Sequence, residues 1–109
     1  MESKTYILTF YNPTFDYYAF NAFMRSSVYV EAYWNYLPLI YCFRSSRPIN
    51  ELRVHFEPYF GYSNFMIAEI NPFNVDGRLP DQAAWDWFRK HPTNTNIGRG
   101  PFLQGLLDD

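Results

Sequence analysis

Apolar and polar positions alternate through residues 28–43, VYVEAYWNYLPLIYCF, around a single break at Leu37-Pro38. A period of two is the mark of half-buried strands, and Pro38, which cannot donate to a sheet ladder, belongs in the turn or at the first position of the second strand. The segment therefore predicts a hairpin. Val28, Val30, Ala32, Trp34 and Tyr36 share one side of its first strand, and Tyr29, Glu31, Tyr33 and Asn35 share the other, whose polar members predict an outward face. The second strand runs over Leu39 to Phe43. Upstream, Lys4 to Phe10 (KTYILTF) is β-branched and aromatic and stops at the turn signal Tyr11-Asn12-Pro13. Between it and the hairpin, Tyr17, Phe20, Phe23 and Met24 form the stripe of a helix running from about Asp16 to Arg25, with Asp16 at its cap or first turn.

Downstream of the hairpin the period lengthens again. Ile49, Leu52, Phe56, Tyr59 and Phe60 define a second helix, for which Ser45, Ser46 and Pro48 offer cap and first-turn chemistry and Gly61 the stop. Phe65 to Ile70 (FMIAEI) then forms a last strand. After the turns Asn71-Pro72 and Asn74 to Gly77, Asp81 can cap a short helix in QAAWDWFRKH, with Ala84, Trp85 and Phe88 inward and Arg89, Lys90 and His91 near its C-terminal dipole. That helix is expected to cover an open edge or end of the sheet. Residues 1–91 read as one domain, and residues 92–109 as a flexible C-terminal tail with an apolar knot of Phe102, Leu103, Leu106 and Leu107 that docks or pairs with another copy.

The resulting order is β-α-β-β-α-β. It predicts an α+β domain of the ferredoxin-like kind, an antiparallel four-stranded sheet with two helices on one face, followed by a short C-terminal helix and tail. Two helices on one face leave the other bare. A bare face must be polar, bind something or be hidden in a dimer, and the composition favours the last two. Aromatic residues make up 22% of the chain, ten of them Tyr, whose hydroxyls must reach water or a partner. A homodimer is the expected partner arrangement.

Charge and cysteine usage narrow the function classes. Nine Lys plus Arg against eleven Asp plus Glu give a net charge of −2, so there is no field to gather nucleic acid and charge does not support that partner. Cys42 is the single cysteine and lies in an apolar strand, which leaves no disulfide framework and no cysteine metal site within the chain. No run approaches the ~20 apolar residues of a membrane span and the N-terminus has no signal-peptide pattern, so no membrane partner and a cytoplasmic location are expected.

Few residues carry candidate chemistry. Arg44 and Arg47 bracket Ser45-Ser46 at the start of the second helix and form the one local anion-binding combination, suited to a small anionic ligand to be sensed. Arg25, Arg53, Arg78 and Arg99 are scattered over different elements. Asp16, Glu31 and Glu69 are read first as a helix cap and two solvated strand positions, and His55 and His91 as helix-flank residues. Tyr41 and Phe43 share a face of a central strand, where an RNA-recognition motif stacks bases, but the Lys/Arg-Gly-aromatic signature is absent and core packing is the simpler expectation.

A first strand TYILTF, a polar loop with Asn12-Pro13 and then Asp16-Tyr17, Trp34-Asn35-Tyr36-Leu37 before the third strand, a later FMIAEI strand and a Leu-Pro then Trp-Asp-Trp ending together resemble small ferredoxin-fold proteins similar to the CRISPR adaptation nucleases, in an uncharacterised SinR-like branch. The resemblance spans roughly residues 4 to 90. It implies a homodimer in which an acidic residue at the end of the first strand of each subunit helps hold Mg²⁺, a hard cation that can orient water against a phosphodiester. Here that strand ends Thr9-Phe10-Tyr11-Asn12, with no Asp or Glu. The expectation is therefore a binding or structural module without cofactor, more a non-enzyme than an enzyme. The alternative is a metal-dependent endonuclease acting on RNA or DNA, with Asp16 or Glu69 as a rearranged catalytic ligand and Mg²⁺ as its cofactor.

Overall fold

In the computed structural model, residues 2–12 and 14–89 are described. The predicted tail and the positions Lys90 and His91 lie outside them. The elements are β1 (Lys4–Phe10), α1 (Tyr17–Ser26), β2 (Ala32–Leu37), β3 (Ile40–Ser45), α2 (Ile49–Phe60), β4 (Phe65–Ile70) and α3 (Gln82–Arg89). All strand pairs are antiparallel and the sheet order is β2-β3-β1-β4, so β1 lies between β3 and β4. The β-α-β-β-α-β order followed by a helix is as the hydrophobic pattern predicts.

The alternation along the strands sorts side chains to two faces. Tyr6, Leu8 and Phe10 of β1 join Tyr33, Tyr41 and Phe43 in a core closed by Phe20 and Met24 of α1 and by Leu52, Phe56 and Phe60 of α2. Its rings interlock. Phe20 alone lies within 6 Å, centroid to centroid, of Phe15, Phe23, Tyr41, Phe56, Tyr59 and Phe60. The opposite face carries Ala32, Trp34, Tyr36 and Cys42, with Ile7, Ile40 and Ile70 half-buried around them, against Ala84, Trp87 and Phe88 of α3.

This second core overturns two expectations. The sheet face opposite α1 and α2 is not bare, because α3 lies over its β2-β3 half, on the side of the β2 edge. The inward stripe of α3 is Ala84, Trp87 and Phe88, with Trp85 half-buried. Spacings of three and four are served by 84-87-88 as well as by 84-85-88, and only docking against Trp34 and Arg44 selects between them. Tyr33 and Asn35 are not outward either: Tyr33 belongs to the α1-α2 core, α3 covers Trp34 from the other side, and Ala32 to Tyr36 is buried at every position.

The hairpin is also shorter than its pattern. Val28 is 87% exposed in a turn, and β2 starts at Ala32. The two-residue turn Pro38-Leu39 places Leu39 at φ 68°, a conformation unfavourable for a side chain with a Cβ. Tertiary bonds hold it there: Leu39 N donates to the Tyr17 hydroxyl, and Leu39 O accepts from Phe10 N and Thr9 Oγ1. At α2, Pro48 rather than Ser45 or Ser46 is the N-cap, with no side-chain cap bond, and Ser45 Oγ accepts from Arg47 N in the turn before it.

Candidate functional site

The strand-end region, where the family resemblance would put metal ligands, is built from local turn and cap bonds. Asn12 Oδ1 accepts from Thr14 N and Thr14 Oγ1, each at 3.0 Å, and Asp16 Oδ1 accepts from Ala19 N at 3.0 Å as the N-cap of α1. The Asp16 bond satisfies a donor that the start of a helix leaves open, and the Asn12 bonds close the turn before it. Glu69 sits elsewhere. It pairs in register with Tyr6, near the start of β1, and its carboxylate lies 3.7 Å from Lys4 Nζ on the neighbouring strand. Four residues of strand separate Tyr6 from Phe10, about 13 Å at the usual rise, so Asp16 and Glu69 belong to opposite ends of the sheet. Among the described residues no three His, Cys, Asp or Glu side chains come together at metal-binding distance.

Arg44 and Arg47 are held by different groups. Arg44 is 5% exposed, donates from Nη2 to the Trp87 carbonyl near the end of α3, and stacks its guanidinium 4.2 Å from the centre of the Trp87 ring. Burial pulls its pKa down and the charge of Glu31 opposes that shift, which places the carboxylate of Glu31 as its electrostatic counterweight. Glu31 itself accepts from Ser3 Oγ. Arg47 is exposed, reaches Glu51 at 3.5 Å one turn into α2, and covers the ring of Tyr29 at 4.5 Å. The first arginine fastens α3 to the sheet; the second faces solvent beside α2.

His55 lies on the flank of α2, as its spacing predicts. Its Nε2 is 2.8 Å from Ser27 Oγ, and its ring stacks on Tyr29 and tilts against Phe23. Ser27 Oγ also accepts from Tyr29 N, so one hydroxyl ties the turn after α1 to the α2 imidazole. Partial burial lowers the His55 pKa and favours the neutral ring. Tyr41 and Phe43 are fully buried beneath α1 and α2, so they belong to the core and not to a base-stacking surface. Cys42 lies under the other helix layer, where burial pushes its thiol up to about 12.

Two surface features escape sequence reading. One is an apolar recess of about 240 Å³ between the outer sheet face, α3 and residues 75–79, with Cys42, Ile7 and Ile40 in its walls. The other is the free side of β4. Among the described residues β4 pairs with β1 alone, its Met66 is 60% exposed, and a groove of about 430 Å³ runs between it and Ile49, Arg53 and Glu57 of α2. β2, the other edge, is interrupted by a register shift between Trp34 and Leu37 that makes it a poor template for pairing, whereas the β4 register with β1 runs unbroken over six pairs. The apolar composition of FMIAEI was the available signal, but its position at an edge is a property of the strand order.

Comparison of the chain with protein-family models, with curated proteins and with solved structures gives no match. No helix among the described residues is long and apolar enough to cross a membrane.

Proposed function

We propose that this chain is a homodimeric binding or structural module of ferredoxin-like arrangement, resembling the CRISPR adaptation nucleases in chain order and lacking their strand-end carboxylate, and that two copies join along β4. The observation that carries the dimer is the edge itself. Six residues of unbulged strand, FMIAEI, have no strand partner on one side among the described residues, beside an apolar groove, and such an edge is a template for another strand unless charge or cover blunts it. Only Glu69 blunts it from within. The non-catalytic reading is supported by the carboxylates: Asp16 caps a helix and Glu69 pairs with Lys4 at the far end of the sheet.

Size-exclusion chromatography with light scattering tests the pairing. The wild-type chain is expected to run as a dimer at micromolar concentration and Met66→Lys as a folded monomer. A monomeric wild type removes the proposal. Incubation with labelled RNA and DNA in Mg²⁺ or Mn²⁺ separates the two functional readings. The module predicts no cleavage, and cleavage lost in Asp16→Ala or Glu69→Ala would establish the endonuclease with a rearranged ligand. The anion-sensing alternative predicts a phosphate-induced shift that disappears when Arg44 and Arg47 are both replaced.

A further inference from the structure

The recess on the outer sheet face is built like a small-molecule site. Trp34, Leu37, Ile40, Cys42, Ile70, Val75, Leu79, Trp85 and Phe88 give it an almost wholly apolar wall drawn from all three layers of this side: sheet, loop and α3. Polar side chains occur only at one rim, where Asp76 and Arg78 flank Gly77. Water in such a recess finds few of the two to four hydrogen-bond partners it needs, so an apolar group displaces it favourably. At about 240 Å³ the space falls below the range for drug-sized ligands and suits a single or fused ring.

The rim selects the head group. Asp76 Oδ1 accepts from Gly77 N at 2.8 Å. Arg78 is exposed and forms no ion pair among the described residues. An anionic oxygen head can therefore meet a guanidinium with no competing carboxylate bond, while the ring that bears it enters the apolar wall. We propose that this recess binds a small apolar carboxylate, with the ring against the wall of Leu37, Ile40, Ile70 and Trp85 and the carboxylate at Arg78. Ile70 at the end of β4 is part of its wall, but the recess shares no lining residue with the groove between α2 and β4.

Titration of the ¹⁵N-labelled full-length protein with 2-naphthoate, followed by NMR, tests the site. Saturable shifts are expected at the Trp34 and Trp85 indole N–H groups and at residues 75–79, with a Kd of about 1 mM or tighter. Arg78→Gln, at an exposed loop position that does not endanger folding, is expected to weaken 2-naphthoate about fivefold and to leave the neutral analogue 2-naphthylmethanol unchanged. Ile40→Phe, which narrows the recess, is expected to weaken both. Absence of saturation, or saturable shifts confined to the β4 groove, overturns the site. Equal effects of Arg78→Gln on the acid and the alcohol overturn the carboxylate. Probe binding that declines with rising protein concentration in step with self-association assigns the recess to a second copy and overturns the ligand.

Discussion

The two faces of one sheet are packed by different means. On the α1-α2 side, fully buried rings from every layer meet one another, and Tyr6, Leu8, Phe20, Tyr41, Phe43 and Phe56 leave almost nothing to solvent. On the α3 side, a helix of eight residues covers only half the sheet, and it is fastened by polar contacts as much as by apolar ones. Trp34 Nε1 donates to the Ala84 carbonyl and Arg44 donates to the Trp87 carbonyl. Two long amphipathic helices can close a four-stranded face with side chains alone, whereas one short helix has too little apolar area and leaves the recess beside it. β1 thus contributes to a filled core with Tyr6, Leu8 and Phe10 and to an open one with Ile7.

Adjacent residues of β1 test that contrast most strongly. Leu8 is fully buried beneath α1 and α2 and Ile7 borders the recess. Leu8→Ala is expected to lower the unfolding free energy by about 2–5 kcal/mol. Ile7→Ala is expected to lower it by less than half as much, because its surroundings are already partly open. Urea denaturation of both variants measures the difference, and equal losses would show that the two faces are packed alike.

The fastening of α3 gives a smaller effect. Arg44→Met keeps an apolar stem in place but leaves the Trp87 carbonyl without its donor, and a buried unsatisfied group of this kind costs about 1–3 kcal/mol. Hydrogen exchange is expected to accelerate in α3 and not in α1 or α2. Uniform acceleration through all three helices would mean that the two faces open as one unit.

The smallest effect lies on the α1-α2 side at its solvent border. His55 has a folded pKa below the ordinary histidine value of about 6.5, so folding favours the neutral ring. Its contribution is complete above that value and is lost as pH falls through it, because the unfolded chain then binds the proton more readily. Comparing His55→Gln with wild type by thermal denaturation at pH 8 and pH 5 should show a shallower acid loss in the variant. An unchanged pH dependence would show that the Ser27 bond tolerates a charged imidazole.

Much of this arrangement was legible from periodicity. The stripe of Leu52, Phe56 and Phe60 and the alternation of Tyr6, Leu8 and Phe10 point to the same core because burial on one side of a regular element imposes its repeat. Asp16 as a cap was equally readable, since the bond to Ala19 N spans three residues. The failures share a cause. Tyr33 and Asn35 looked outward because alternation with polar residues normally means one wet face, but Tyr33 faces the α1-α2 core, and α3, about 50 residues further along the chain, dries the Trp34 side instead. Arg44 looked like half of an anion-binding pair with Arg47, yet its partners are the carbonyl and ring of Trp87, which no local pattern connects to it.

The sequence by itself determined the kinds and order of the elements, the α1-α2 core and the lack of a carboxylate at Phe10-Tyr11-Asn12, because each depends on neighbours in the chain. Tertiary structure decided which face α3 covers, that β4 is an edge of the sheet among the described residues, and that Trp34, Cys42 and Phe88 wall an apolar recess with Arg78 at its rim. Those features arise from contacts between segments far apart in sequence, whose choice rests on the summed burial and hydrogen bonding of the whole domain and not on any local repeat.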